Sequence, residues 1–435
     1  MMVSPLYGVL LIAGFLLLMC IRMPIGFAMS VTSLLYILCT GRLSATLVTQ
    51  NMASSMTSYT VLAVPFFIVC GQIMNGVGIT DQIFDFADKC VGHIRGGLGH
   101  VNVFASLIFS GMSGSANADV AGLGAIEIKA MKERGYDADF AVGVTAASSV
   151  IGPIFPPSNP MVLVGVATGT SIGALFLGGM VVGVLMALFM FATVYILAKK
   201  KNYYVSPKAT NRERFRVFRK SFLALITPVI LIWGLTAGFL TPVETGCIAC
   251  AYSLLLNQVV YKQMSLKELL ESIAEGMSAC GLVFLMMSAA KIFSTVLADQ
   301  KIAESVANGM FSLTTNKWGI LLLINLFLLF MGTFLNPTSG ILIATPILFP
   351  IAKMLDINMV QFGVIFVLDL MIGMLTPPTA SVLFVASKIG GISFERGVRA
   401  VMPYLVALLI VVALINIFPA LTLAVPNWLL GGYSW

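Results

Sequence analysis

Two short segments of this chain concentrate side-chain oxygens beside a glycine, and they lie 221 residues apart. Gly111 opens the first segment and Gly332 opens the second. The oxygens belong to Ser113, Ser115 and Asn117 in the first segment, and to Thr333, Asn336, Thr338 and Ser339 in the second. Hydroxyl and amide oxygens without a carboxylate suit a monovalent cation such as sodium better than calcium, which usually requires charged ligands. The pattern therefore predicts one oxygen cage for sodium in each half of the chain.

A glycine followed by a proline pair and a hydroxyl residue recurs at the same spacing, so that residues 152–158 correspond to residues 373–379. Gly152 and Gly373 allow a close approach of backbones, and the prolines, which lack an N–H group, leave carbonyl groups without helical partners. A single motif of this kind is more often a kink or a point of tight helix packing. Its repetition at one spacing favours a broken helix in each of two duplicated halves, with backbone oxygens completing each cage.

The segments that carry these motifs are apolar enough to lie in a lipid bilayer. Hydrophobic residues form 59% of the 435-residue chain, charged residues form 10%, and the mean hydropathy is +0.99. Charge-free runs long enough for spanning helices occur at residues 6–20, 172–198, 222–240 and 404–418. Backbone that stops inside a bilayer must line a protein-walled cavity, because lipid offers no hydrogen-bond partner. We therefore expect a multi-pass inner-membrane protein whose interrupted helices build a binding site near the middle of the membrane.

The predicted fold class is an all-α polytopic membrane protein with two inverted repeats. Each repeat contains spanning helices, an arm helix, a re-entrant hairpin, a broken helix and a closing helix. In the first repeat, residues 1–198, scaffold and arm occupy 1–96, hairpin and broken helix 97–170, and the closing helix 172–198. A basic cytoplasmic linker, 199–220, leads to the second repeat, residues 221–435, in which the corresponding parts are 221–316, 317–388 and 401–424. The scaffold spans are predicted at 4–20, 24–40, 59–76, 221–240, 243–260 and 277–298, with the first arm at 80–95.

Lysine and arginine indicate the orientation of this fold, because cytoplasmic loops carry the excess of both. With five crossings in each repeat, twenty of these residues fall on one side, nine of them in residues 199–220. Only Arg42, Lys301, Lys317 and Lys353 fall on the other side, and Lys291 lies within a span. We therefore expect both termini in the periplasm, the first hairpin entering from the cytoplasm and the second from outside. The net charge of +7 is concentrated in the linker, where topology and anionic lipid explain it, so it does not indicate nucleic-acid binding.

Few ionisable residues lie inside the apolar segments, and each is a candidate for a coupling or gating network. They are Asp119, Glu127, Glu244, Lys291 and Asp369. Asp119 and Asp369 lie nearest the helix breaks and are the stronger candidates. The alternative for each residue is an interhelical ion pair or a snorkelling side chain. Because the chain has no G-x-x-x-x-G-K-[ST] motif, we expect an ion gradient rather than ATP to drive its activity.

Four motifs resemble the large membrane subunit, or M subunit, of tripartite ATP-independent periplasmic (TRAP) transporters of the ion transporter superfamily. They are residues 109–119 (FSGMSGSANAD), 151–158 (IGPIFPPS), 336–338 (NPT) and 375–379 (LTPPT). Residues 23–28 (MPIGFA) and 64–67 (VPFF) also look typical of that subunit. The resemblance covers essentially the whole chain and implies a transporter rather than an enzyme, with sodium as coupling ion and no cofactor.

The resemblance implies sodium-driven uptake of an organic acid, a sugar acid or a dicarboxylate, by an elevator motion of hairpins and broken helices against the scaffold. It also implies a periplasmic binding protein that delivers the substrate and a small four-helix Q subunit, which we expect to be a separate chain. By motif position, the first sodium site uses Ser113, Ser115, Asn117 and the backbone near Gly152, and the second uses Thr333, Asn336, Thr338 and the backbone near Gly373 and Thr376. The implied substrate site lies between the tips, near Ser158, Asn159 and Thr379.

Other functions remain open from the sequence. A stand-alone sodium-coupled dicarboxylate or anion symporter of the same superfamily uses similar hairpins and needs no periplasmic partner. A non-transporting subunit of a respiratory complex predicts buried lysine and glutamate along several spans, whereas here only Lys291, Asp369 and Glu127 qualify. A membrane-embedded hydrolase is disfavoured, because the apolar core contains neither a Ser/His pair nor an H-E-x-x-H helix.

Overall fold

The computed structural model describes residues 5–44, 46–76, 80–199, 201, 203–236 and 240–431. Every regular element in these ranges is a helix, which confirms the all-α fold class. Both termini, for which a periplasmic location is predicted, lie outside the described residues at 1–4 and 432–435. Parts of the predicted span at 221–240 and of the linker at 199–220 also lie outside them.

The first half runs from a helical scaffold through a hairpin to a long closing helix. Its helices are α1 (Pro5–Cys20), α2 (Ile25–Thr40), α3 (Thr46–Thr57), α4 (Ala63–Gly76), α5 (Thr80–Val91), α6 (Gly97–Ser113), α7 (Ala116–Ala121), α8 (Leu123–Glu133), α9 (Ala138–Ser149), α10 (Asn159–Thr168) and α11 (Ile172–Lys199). A 3₁₀ turn, Tyr59–Leu62, joins α3 to α4. α6 forms one limb of the first hairpin, and α7 with α8 forms the other.

The second half repeats this order. Its helices are α12 (Asn211–Thr236), α13 (Pro242–Leu255), α14 (Leu266–Asp299), α15 (Ile302–Leu313), α16 (Lys317–Phe334), α17 (Pro337–Met354), α18 (Met359–Gly373), α19 (Ser381–Gly390), α20 (Phe394–Ile417) and α21 (Ala420–Leu430). A π-helical turn, Leu256–Tyr261, extends α13. α16 and α17 form the second hairpin, and α18 with α19 forms the second broken helix.

Several of these helices match the dimensions of a bilayer. Within the described ranges, seven helices are long and apolar enough to cross it, or eight if the bent pair Asn211–Arg219 and Ser221–Leu235 is one span. The seven include both limbs of the second hairpin and both closing helices. α10 and α19, of ten residues each, are apolar but reach only about 15 Å, half of the hydrocarbon thickness. The chain is thus a multi-span membrane protein that also contains helices too short to cross a bilayer alone.

Two helical segments lie where hydropathy predicts no span. α3 occupies a polar segment between the predicted spans, and α14 begins at Leu266 rather than at residue 277. The polar start of α14 is stabilised by a capping box, in which the Ser265 hydroxyl accepts a hydrogen bond from the Glu268 amide (3.3 Å). In return, the Glu268 carboxylate accepts one from the Ser265 amide (2.7 Å). These helices are specified by capping and packing, which a hydropathy scan does not detect.

The linker and the last helix also differ from their predicted bounds. α12 begins at Asn211, so the second part of residues 199–220 is helical. The predicted closing helix at 401–424 is two helices, α20 and α21, which are separated at Phe418. Phe418 has φ −116° and ψ 85°, because the following Pro419 disfavours a helical conformation at the residue before it.

Helices of the first half pack on helices of the second half. In the scaffold α2 packs on α14 and α4 packs on α13, and around the breaks α9 packs on α20 and α11 on α18. The hairpins also cross over, since α7 contacts α19 and α10 contacts α17. Both proline pairs, 156–157 and 377–378, contain a cis peptide bond. Equivalent elements of the two halves thus have equivalent neighbours, as expected of a duplicated fold.

Candidate functional site

The first hairpin turns at Gly114, between α6 and α7. Gly114 has φ +59°, a left-handed conformation that favours glycine, and its amide donates to the Ser110 carbonyl (3.3 Å). A Cβ atom at Gly114 would lie 2.6 Å from the Pro157 carbonyl oxygen, so the tip packs directly on the first helix break. A Cβ atom at Gly152 would lie 3.7 Å from the carbonyl carbon of Ser115. The tip and the break of the first half, which are predicted to share a cage, are therefore in contact.

The second tip makes the same contact with its own break through two glycines. A Cβ atom at Gly373 would lie 2.6 Å from the Cα atom of Gly332, so this position has no room for a side chain. The Thr379 hydroxyl donates to the Thr333 carbonyl and so joins the break to the tip. The Thr376 hydroxyl donates to the carbonyl four residues earlier (3.2 Å) and stays on its own helix. In each half, backbone oxygens of tip and break are thus held close together.

Two of the predicted site residues cap helices. The Ser158 hydroxyl accepts a hydrogen bond from the Met161 amide (3.2 Å) at the start of α10 and donates to the Pro153 carbonyl. At the start of α17, the Asn336 Oδ1 atom accepts a hydrogen bond from the Ser339 amide (2.9 Å). Both side chains satisfy N-terminal amides that have no partner within their helix. A Ser-Asn-Pro or Asn-Pro sequence before an apolar run is itself a signal for such a cap.

A cavity of about 280 Å³ lies between the two tips and the scaffold. Its polar lining includes the predicted residues Ser113, Ser115, Asn117, Asn159 and Thr338. The opposite wall consists of α4 and α14, which contribute Val64, Ile68, Ala279 and Val283. The other predicted site residues do not belong to this lining: Gly152, Ser158, Thr333, Asn336, Gly373 and Thr379 lie in the contacts between tip and break or in helix caps, and the Thr376 hydroxyl bonds to its own helix. We call this space the tip cavity.

Sequence reasoning missed two polar residues of the tip cavity, Gln72 and Asn75, which face it from α4. Within the described residues, the buried Oδ1 atom of Asn75 has no hydrogen-bond partner. A buried polar atom without a partner costs free energy, so this oxygen is suited to accept a hydrogen bond from a ligand. The sequence feature that could have identified them is the pair of side-chain amides, three residues apart, inside an otherwise apolar helix.

The described lining of the tip cavity contains helix N-termini and no charged side chain. None of its described lining residues is Lys, Arg, His, Asp or Glu. The first turns of α10 and α17 line it, through Asn159 and Pro160 and through Pro337 and Thr338. Helix N-termini carry partial positive charge and amides without helical partners, which favour anionic groups. The lining thus combines side-chain oxygens with helix N-termini.

Residues 12–421 match the family model of the tripartite ATP-independent periplasmic transporter, DctM component. The chain belongs to this family. The match covers both repeats and all of the motifs described above. It confirms the resemblance seen in the sequence, and with it a transport function rather than an enzymatic one. The alternative functions, a stand-alone symporter or a respiratory subunit, are not favoured by this membership.

Curated DctM-family relatives align along nearly the full chain. The sialic acid TRAP transporter large permease protein SiaM of Vibrio cholerae is 43% identical over 97% of this chain and 98% of that protein. The sialic acid TRAP transporter permease protein SiaT of Haemophilus influenzae is 40% identical over 98% of this chain and 69% of that protein. The C4-dicarboxylate TRAP transporter large permease protein DctM of Pseudomonas aeruginosa is 37% identical over 85% and 87%.

A solved structure shares the fold of this DctM-family chain. The YdaH transporter of Alcanivorax borkumensis, described as having an unusual topology, superimposes with a TM-score of 0.59 over 88% of each chain. Its sequence identity is 14%, so the likeness concerns the fold alone.

The two predicted coupling carboxylates lie outside the tip cavity of this permease. Asp119 and Asp369 are 2% and 0% exposed, and within the described residues neither carboxylate oxygen of either has a hydrogen-bond partner. A buried carboxylate without a partner requires a cation or a proton nearby. Glu127 is better satisfied, because it accepts a hydrogen bond from Asn102 (2.5 Å), which also donates to Thr145 (2.7 Å). Sequence reasoning missed this Asn102 network, which joins α6, α8 and α9.

Proposed function

We propose that this permease catalyses sodium-driven uptake of an organic acid across the inner membrane. A periplasmic binding protein delivers the acid, and a separate small Q-type membrane subunit completes the transporter. The observation that carries the proposal is the tip cavity, where both hairpin tips and the first helix break meet the scaffold. Interrupted helices that converge on a midmembrane cavity are the usual construction of ion-coupled transporters.

The substrate class follows from the anion-favouring character of the tip cavity. The relatives named above transport sialic acid, which is a sugar acid, or C4-dicarboxylates. Both classes carry a carboxylate, which suits the first turns of α10 and α17. Asn159, a predicted substrate residue, and Thr338, a predicted tip residue, both line the cavity, and the Asn75 oxygen adds an acceptor for a substrate hydroxyl or amide.

The proposed sodium sites lie at the two contacts between tip and break. In the first half, the Ser115 backbone lies beside Gly152, and the Ser113, Ser115 and Asn117 side chains belong to the same tip. In the second half, Gly332 and the Thr333 carbonyl contact the break at Gly373 and Thr379, and Asn336 and Thr338 follow in the same tip. Hydroxyl, amide and carbonyl oxygens without a carboxylate match a monovalent cation, which is transported together with the acid. Asp119 and Asp369 are proposed to balance charge near these sites.

Alternating access is proposed to occur by an elevator motion. The wall formed by the tips and the wall formed by α4 and α14 belong to different parts of the fold, and the tip cavity lies between them. Movement of hairpins and broken helices along the scaffold carries the cavity from one side of the membrane to the other. The inverted arrangement of the repeats, with both termini in the periplasm, belongs to this proposal.

The test is uptake by proteoliposomes that contain this chain and its Q-type subunit. Labelled N-acetylneuraminate and succinate are supplied with an inward sodium gradient, with and without the cognate periplasmic binding protein. Uptake that requires both sodium and the binding protein is the expected result. Sodium-driven uptake without the soluble protein would identify a stand-alone symporter instead, and uptake indifferent to sodium would overturn the proposed coupling.

A further inference from the structure

Three cavities follow one another along a single seam between the scaffold and the mobile elements. α14 lines the tip cavity with Ala279 and Val283, the second cavity with Met287 and Lys291, and the third with Leu297 and Ala298. α10 and α17 line the same three cavities in the order of their own residues. Ser294 and Thr345 belong to both the second and the third cavity, so these two spaces adjoin. The seam therefore leads from the tip cavity to the outer end of α14.

The middle cavity, of about 360 Å³, contains a lysine that no acidic side chain neutralises. Lys291 lies in the span α14, and within the described residues it forms no ion pair. The outer cavity, of about 800 Å³, also contains basic residues, but Lys301 there lies 3.4 Å from Glu304, and Asp356 lies in the same lining. Lys353 also lines the outer cavity and forms no ion pair within the described residues, so unpaired positive charge occurs both at the mouth and at the middle of the seam.

A second group in the middle cavity also lacks a partner. Thr345 of α17 is 5% exposed, and its hydroxyl has no hydrogen-bond partner within the described residues. Four further hydroxyls, from Ser54, Ser55, Ser58 and Ser294, complete the polar lining. A buried hydroxyl is almost always hydrogen-bonded, and a lysine inside a membrane span usually has an anionic partner. A carboxylate in this cavity would satisfy both Lys291 and Thr345.

We propose that Lys291 and Thr345 form a transfer site for the substrate carboxylate between the outer cavity and the tip cavity. The proposal rests on the function proposed above, since it assigns this site to the same organic acid. At 1.5 Å of helix rise per residue, Lys291 lies about 18 Å from Ala279 and about 12 Å from Asp299, the last residue of α14. An anion that has passed Lys353 in the outer cavity therefore meets a second unpaired positive charge partway along the seam. Because Lys291 is on the scaffold and Thr345 on the mobile hairpin, the site comes apart when the elevator moves.

Labelling of an introduced cysteine with charged thiol reagents tests whether Lys291 attracts anions, and this experiment does not depend on transport. Ser294→Cys is placed in the middle cavity and Ser312→Cys on the exposed face of the arm α15 as a control. Each is labelled with anionic or cationic methanethiosulfonate reagents, and mass spectrometry follows the peptide that contains the new cysteine. At Ser294→Cys, Lys291→Gln should lower the ratio of anionic to cationic labelling rates about fivefold, as expected from local electrostatic steering. At Ser312→Cys the ratio should not change. The proposal would be overturned if Ser294→Cys were not labelled, or if Lys291→Gln did not change the ratio of anionic to cationic labelling rates.

Uptake kinetics test whether the substrate uses the site. Lys291→Gln and Thr345→Val should each raise the KM for the labelled acid about tenfold, the value of one hydrogen bond to a charged group, with little change in the maximal rate. Lys291→Arg should restore a KM near that of the wild type. Lys267→Gln removes an exposed charge at the other end of α14, away from the seam, and should leave the KM unchanged. An unaltered KM in Lys291→Gln would refute the transfer site. If the wild-type protein showed no uptake, the proposed function would be refuted, and the labelling experiment alone would then decide whether Lys291 attracts anions.

Discussion

Equivalent residues of the two hairpin tips have different roles. Asn117 and Thr338, which are 221 residues apart, both line the tip cavity. Ser115 and Asn336 are also equivalent, and each stands before the helix that follows the turn. The Ser115 side chain makes no capping bond there and faces the cavity, whereas Asn336 caps α17. The same motif position therefore supplies a cavity oxygen in one half and a structural cap in the other.

The cavity-lining pair should control sodium dependence. We expect Asn117→Ala and Thr338→Ala each to raise the sodium concentration for half-maximal uptake about tenfold, the effect of losing about 1.4 kcal/mol of ligand interaction. Expression should stay near that of the wild type. The measurement is initial uptake rate against sodium concentration in proteoliposomes. Asn308→Ala, at an exposed position of the arm α15, is the control. Unchanged sodium activation in both variants would sink the assignment of the cages.

The capping asparagine should affect stability instead. Asn336→Ala removes the acceptor of the Ser339 amide, and loss of an N-cap costs roughly 0.5–2 kcal/mol. Asn336→Asp and Asn336→Ser retain an acceptor and should restore stability. Thermal unfolding of the purified protein in detergent measures the difference. If Asn336→Ala unfolded like the wild type, the capping role seen in the structure would not matter for stability.

At the scale of elements, hydropathy identified the long spans and the repeat spacing identified the hairpins and breaks. Neither hydropathy nor the repeat spacing identified α3, the first turns of α14 or the division between α20 and α21. These depend on a capping box at Ser265, on packing of α3 against α14, and on Pro419, none of which raises mean hydropathy. The sequence predicted that tip and break share a cage, but it could not show which backbone atoms meet, because Gly332 and Gly373 are 41 positions apart in the chain.

The tertiary contacts of the linker, residues 199–220, could not be predicted from the sequence either. It was predicted from its charge as a connection, yet the structure ties it to the base of the first hairpin. The Tyr136 hydroxyl donates to the Tyr204 carbonyl (2.5 Å), and the Ser206 hydroxyl donates to the Asp88 carboxylate of the arm α5 (2.8 Å). Lys201 and the Tyr203 hydroxyl donate to Asp137, and these bonds hold the pKa of that carboxyl below its usual range. Position along the chain does not disclose such tertiary bonds.

The contact between tip and break should not tolerate added atoms. Gly373→Ala places a methyl group 2.6 Å from the Gly332 backbone, and overpacking of this kind typically costs about 1–3 kcal/mol. We expect a loss of transport of at least about tenfold, with lower thermal stability. Gly281→Ala is the matched control, because its Cβ atom would have nothing within 4 Å and alanine favours a helix. Equal transport by Gly373→Ala and Gly281→Ala would show that close approach at the second break is not required.

At the scale of the whole molecule, exchange of packing partners joins the halves into two interleaved bodies. α2, α4, α13 and α14 pack together, and the hairpins with α9, α10, α18 and α19 form the other group. Lys132 of α8 donates to the Gly390 carbonyl of α19 (3.0 Å), which links the two halves within the second body. The tip cavity lies where these bodies meet, so a relative displacement of the bodies would change access to it without dismantling either.

Cross-linking distinguishes this displacement from a fixed-site mechanism. The Ser339 hydroxyl of α17 lies 3.7 Å from the Met286 sulfur of α14, across the boundary between the bodies. In Met286→Cys/Ser339→Cys, a short bifunctional thiol reagent should reduce uptake at least about tenfold, since a covalent bridge holds the hairpin against the scaffold. Docking of the periplasmic binding protein, measured by pull-down, should persist. The untreated variant and the treated parent chain, which retains its native cysteines, give the baseline.

A control cross-link between two scaffold helices shows whether loss of uptake comes from blocked motion or from the cross-linking itself. Asn51 of α3 lies 3.2 Å from Thr295 of α14, and both belong to the scaffold half of the boundary. Asn51→Cys/Thr295→Cys treated with the same reagent should keep most of its uptake, because no boundary is crossed. If the bridge between Met286 and Ser339 formed fully, as judged by mass spectrometry, and transport continued, the two bodies would not need to slide. Substrate would then have to reach both sides through local opening at the tips, as in a rocking or fixed-site mechanism.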